Sequence, residues 1–158
     1  MNRREERTLK AVAIALALAG LAAGGWIAPQ MGLAMRAMYP EYAPLFWPLL
    51  LYVWATMAPG FVGLWEFWRI SGRIGRDESF STHNARSLFR IRALALAMAC
   101  MCAVGAIGMF AFRLGQPGLM LLALGCGAAC AVVSALSGVL ARLVRRAAQI
   151  KAENDLTI

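Results

Sequence analysis

Four stretches of this chain contain no Asp, Glu, Lys or Arg: Ala11–Ala28, Tyr42–Trp65, Ala93–Phe112 and Leu114–Ala141. Each is at least 18 residues long, and about 20 predominantly apolar residues carry a helix across the hydrocarbon core of a bilayer. Inside that core every backbone N–H and C=O needs an internal partner, which leaves only helices and closed barrels. The two-residue alternation of a barrel strand is missing from all four. The expected fold is therefore an all-α membrane protein with four transmembrane helices, forming one domain over residues 1–158. The spans are expected near 10–28, 44–68, 92–112 and 118–141, with a helical extension and tail over 142–158. The charged residues, 15% of the chain, are bunched between these stretches rather than spread through them.

The first stretch also invites a signal-peptide reading, since Met1–Lys10 is charged and small residues at Ala22-Ala23-Gly24 could form a cleavage site. Glu5 and Glu6 argue against it, as does an apolar run that continues through Trp26 and Ile27. The expectation is an uncleaved first helix.

Orientation follows from the basic residues. The N-terminal segment, the loop between helices two and three, and the C-terminal segment hold 14 of them, against 2 in the remaining connections, Arg36 and Arg113. Positive residues stay on the cytoplasmic side, so both termini and the middle loop are expected there. The pI of about 10.2 is then a signal of topology. Direct nucleic-acid binding is not expected, because no basic patch is interleaved with exposed aromatics.

Within the spans, most polar or unusual residues have ordinary explanations. Gly20 and Gly24 are four apart and let a neighbouring backbone approach; Pro29 is expected to end the first helix. Met31, Met35 and Met38 fall on one face of a short outer helix. Their thioethers are soft ligands that suit Cu(I), but the apolar face of a small interfacial helix is the expected role, since Met is also an adaptable packing residue. Pro59 should kink the second span. Glu66, just inside it, is a functional candidate as an ionisable membrane residue, but Arg69 and Arg73 follow at i+3 and i+7, so an interfacial ion pair is the expected explanation.

All four cysteines, Cys100, Cys102, Cys126 and Cys130, lie in the hairpin of spans three and four. Folding brings them to similar depth, but Cys-x-Cys in a helix turns its thiols about 200° apart. Free thiols are expected, with no bound metal or other cofactor. Gly127, Ala131, Ala135 and Gly138 form a stripe of small residues that fits an internal contact or a homodimer seam. An enzyme is not expected either: the chain offers no paired carboxylates in an apolar setting, no nucleophile beside a base and no phosphate loop.

The residues outside the spans are more distinctive. In "RISGRIGRDESFSTHNARSLFRIR", the basic Arg69–Arg76 should lie on anionic headgroups. Ser81 or Thr82 can cap a helix that runs on into span three, with Phe80 packing back on its first turn. His83, the single histidine, has no second ligand at metal spacing. At the other end, nothing breaks the helix between Val139 and Glu153, and Val139, Leu143, Ala147 and Ile150 make a narrow apolar stripe. Asn154 suits a helix C-cap. Leu156-Thr157-Ile158 then alternates like a strand and ends in a carboxylate, a form that docks on a sheet edge or in a backbone nest.

Phe80-Ser81, Asn84 and the ending Glu153-Asn154-Asp155-Leu156-Thr157-Ile158 resemble a bacterial family of small four-helix membrane proteins of unknown function. That family has a cytoplasmic Phe-Ser…Asn loop and an Asp-Leu-Thr-Ile ending; His83 stands where it has an acidic residue. The resemblance implies a gene neighbourhood that includes a small helix-turn-helix regulator, and no enzymatic activity.

Together these features suggest a non-enzymatic, multi-pass membrane protein, embedded in the lipid bilayer, that binds a cytoplasmic protein. A small DNA-binding regulator is the favoured partner, and Phe80, Ser81, Asn84, Glu153, Asn154, Asp155, Leu156, Thr157 and Ile158 are its expected contacts. Two other readings stay open: a small transporter or soft-metal-handling protein, and a tail that merely clamps the cytoplasmic loop.

Overall fold

A computed structural model describes residues 3–74, 82–112 and 117–155, with side chains over 6–72, 83–112 and 117–150. Every long element is helical: α1 (Arg3–Ala22), α2 (Ala28–Met38), α3 (Phe46–Ile74), α4 (Thr82–Ala111) and α5 (Pro117–Asp155). A π-helical turn, Ala23–Ile27, joins α1 to α2, and a 3-10 segment, Pro40–Leu45, joins α2 to α3. Four helical stretches, Glu6–Met38, Pro40–Gly72, His83–Ala111 and Pro117–Ile150, are long and apolar enough to cross a membrane.

Pro29 does not end the first helix. It lies near the start of α2, and the chain stays helical from Arg3 to Met38. The π turn explains how. A proline ring inside an α-helix collides with the carbonyl four residues back and supplies no N–H; one wider turn relieves the collision. The Ala28 N–H bonds to the Ala23 carbonyl, so it no longer serves Gly24. The next donor in π register is residue 29, which is proline. Trp54 of α3 fills the gap, its Nε1–H donating to the Gly24 carbonyl at 2.9 Å.

The four spans pack in chain order. α1 lies on α3, α3 on α4, and α4 on α5 in the most extensive contact; α1 and α5 make no close approach among the described residues. The buried apolar residues are mainly small, Ala13, Ala85, Ala95, Ala106 and Ala141 beside Leu50 and Ile70. Large ones such as Leu18, Trp26, Leu51, Ile107, Phe110 and Leu136 face outward. This pattern suits helices that meet through small residues and turn their bulk to lipid. Close approaches show how tight the contacts are. A Cβ on Gly105 would stand 3.0 Å from the Tyr52 ring, and one on Gly127 would stand 3.2 Å from Cys102 Cβ. The Tyr52 hydroxyl crosses from α3 to donate to the Met101 carbonyl of α4.

Candidate functional site

Among the described residues, the buried polar side chains are Glu66, Ser71, Asn84, Ser87, Ser134 and Ser137. They gather at one end of the bundle, where α3 finishes, α4 begins and α5 passes on toward Asp155. Helix–helix pairing sets this arrangement, since Ser134 of α5 donates to the Arg92 carbonyl of α4 at 3.0 Å. Ser71 instead donates back to the Phe67 carbonyl in its own helix, at 2.9 Å.

Glu66 is the centre of the cluster, only 5% exposed. Its Oε1 accepts a hydrogen bond from Arg90 Nη1 of α4 at 2.8 Å, and Arg69 Nη1 stands 3.7 Å away. The Ser87 hydroxyl faces the same carboxylate. Oε2 is buried and lacks a hydrogen-bond partner among the described residues. The expected Arg69 pair therefore exists but is the longer of two. The shorter crosses between helices, a charge-assisted bond of normal length. No local pattern announces a partner 24 residues away; it follows from the pairing of α3 with α4.

Asn84, expected among the partner contacts, is only 2% exposed and sits in the first turn of α4. It belongs to the packed interior rather than to an accessible surface, because its face of α4 is turned inward with Ala85 and Ser87. Glu153, Asn154 and Asp155 lie in the last turn of α5, so Asn154 falls within the helix instead of capping it. Their side chains, together with Phe80, Ser81, Leu156, Thr157 and Ile158, lie outside the described residues. The apolar stripe of the α5 extension is open: Val139, Leu143 and Ile150 are exposed, because α4 meets the face carrying Ser134, Ser137 and Ala141. His83 is exposed.

Away from this end, Met31 and Met38 are exposed and Met35 partly covered. The four cysteines are free thiols, Cys100 and Cys126 exposed and Cys102 and Cys130 half-buried. Among the described residues no three of His, Cys, Asp and Glu are placed to share a metal ion. Near the N-terminus, Lys10 pairs with Glu6 and sits 5.6 Å above the Trp68 ring, tying α1 to α3 at the polar end.

Comparison with known proteins gives a consistent picture. A family model described as a protein of unknown function, DUF2975, matches residues 30–158. The chain is also similar to the uncharacterized membrane protein YoaS of Bacillus subtilis (strain 168), 26% identical over 163 residues and covering 100% of both chains. No solved structure matches.

Proposed function

The chain belongs to the DUF2975 family of uncharacterized membrane proteins, and from that premise we propose that its polar end recruits a soluble protein, without catalysing a reaction. The partner fitting this reading is a small helix-turn-helix regulator held at the bacterial cytoplasmic membrane. Both termini and the loop between α3 and α4 then face the cytoplasm, in keeping with the 14 basic residues on that side against 2 on the other.

The observation that carries the proposal is the Glu66–Arg90 pair at 2.8 Å. It ties α3 to α4 about two helical turns before the segment holding Phe80 and Ser81, and so helps to set how the two helices approach that segment. Loops mounted on a rigid scaffold are common binding elements. The α5 extension supports the same reading. At 1.5 Å per residue its 39 residues span about 58 Å, against about 30 Å of hydrocarbon, which leaves room for the last turn, Glu153–Asp155, to stand clear of the bilayer. In this scheme Phe80, Ser81 and Glu153–Ile158 meet the partner, while Asn84 supports the loop from within.

Co-purification with a small helix-turn-helix regulator from the same organism tests the proposal. The intact chain should retain it, and a version lacking Glu153–Ile158 or carrying F80A/S81A should lose most of it. Equal recovery with all three forms would rule out these contacts.

A further inference from the structure

The α4–α5 contact brings two arginines onto one glycine. Arg92 of α4 lies across Gly138 of α5, so that a Cβ there would stand 2.9 Å from Arg92 Cδ and 3.2 Å from Nε and Nη1. One turn further along α5, Arg142 Nε donates to the Gly138 carbonyl at 3.2 Å. The backbone beneath is pinned: Ser134 bonds the Arg92 carbonyl at 3.0 Å, and Ala141 is 0% exposed in the helix contact. Both arginines are exposed.

Two guanidiniums that both approach Gly138 favour an anion between them, and no acidic side chain among the described residues is paired with either. Glu6 pairs with Lys10, Glu66 pairs with Arg90 and Arg69, and Glu41 sits in the 3-10 segment before α3. Glu153 and Asp155 cannot fold back, because α5 is continuous through Asp155 and Glu153 lies about 16 Å beyond Arg142 along its axis. The depth of the pair is equally informative. The uncharged run Ala93–Phe112 begins immediately after Arg92, and Leu114–Ala141 ends immediately before Arg142. Both arginines therefore stand at the edge of the hydrocarbon, the level of lipid headgroups.

We propose that Arg92 and Arg142, converging over Gly138, bind the phosphate of an anionic phospholipid headgroup. The planar guanidinium fork matches phosphate oxygens in pairs, and basic pockets between membrane helices are established sites for acidic lipids. The glycine lets the Arg92 side chain lie directly on α5 beside Arg142, and a side chain at 138 would have to displace it.

Thermal unfolding of the delipidated full-length protein tests this, with added phosphatidylglycerol, phosphatidylcholine or inorganic phosphate. Phosphatidylglycerol should raise the unfolding temperature and phosphatidylcholine should not. In R92Q/R142Q the lipid concentration for half the effect should rise roughly tenfold, while R86Q, which also removes charge from α4, leaves it unchanged. Gly138→Ala keeps every charge and should still weaken the response, which a diffuse surface attraction would not explain. An unchanged half-effect concentration in Gly138→Ala and R92Q/R142Q, or equal responses to both lipids, overturns the site. A response to inorganic phosphate without one to phosphatidylglycerol overturns the lipid assignment.

Discussion

Arg90 of α4 reaches Glu66 of α3 at 2.8 Å across 24 residues of chain, leaving the nearer neighbour in sequence, Arg69, at 3.7 Å. The carboxylate is buried while the Arg90 side chain is 63% exposed. Arg90 therefore gives up little solvation to make the bond, whereas Glu66 depends on it.

The first prediction concerns that dependence. Removing one partner of a buried charge costs more than removing both, because the survivor stays unpaired. Arg90→Gln should lower stability by about 1–2 kcal/mol, discounted for the exposed guanidinium. Glu66→Gln/Arg90→Gln should cost less than the sum of the single changes. Strict additivity in detergent unfolding would mean that the two residues do not interact.

A second prediction follows from the π turn. Trp54→Phe removes the donor to the Gly24 carbonyl, which neither Ala28 nor Pro29 serves, and should cost about 1–2 kcal/mol. Pro29→Ala restores a main-chain N–H at the position that lacks one, so it should offset part of that loss in the double variant. If Pro29→Ala and Trp54→Phe show no coupling, the carbonyl does not need the indole.

Tyr52→Phe should loosen α3 from α4. It keeps the ring against Gly105 and deletes only the bond to the Met101 carbonyl. Interhelical bonds in membranes average about 0.6 kcal/mol, so a small fall in unfolding temperature is expected. Gly105→Ala, which forces the ring away, should produce a larger fall, and the reverse ranking would contradict the packing described.

Thiol reactivity offers a fourth check. Cys100 and Cys126 are exposed, while Cys102 and Cys130 are half-buried between α4 and α5. All four lie within the uncharged runs Ala93–Phe112 and Leu114–Ala141, where hydrocarbon disfavours the thiolate that attacks a maleimide. The protein in intact vesicles should therefore take up no maleimide by intact mass, and the denatured protein should take up four. Rapid labelling of Cys100 or Cys126 in vesicles would mean that their faces meet water rather than lipid.

Much of this protein could be read along its length. The uncharged runs located all four candidate spans, because the energetic demand of hydrocarbon acts on each residue and needs no knowledge of its neighbours. Pro29 was misleading for a related reason. Its missing N–H is a local fact, but the Trp54 side chain that makes the π turn tolerable comes from another helix. Asn84 was singled out from the sequence for its place in a motif, and only the packing of α4 shows that it is buried.

The sequence by itself determined that the chain is helical and built for a bilayer, since composition and run length decide those properties. Tertiary structure alone decided which helix lies beside which, and hence that Glu66 meets Arg90 and that Arg92 and Arg142 share Gly138. The spans of α3 and α4 carry long uncharged runs, Tyr42–Trp65 and Ala93–Phe112, so charge patterning cannot choose their contact faces. The small residues and a few polar bonds make that choice, because only there can two backbones come close enough to replace lipid.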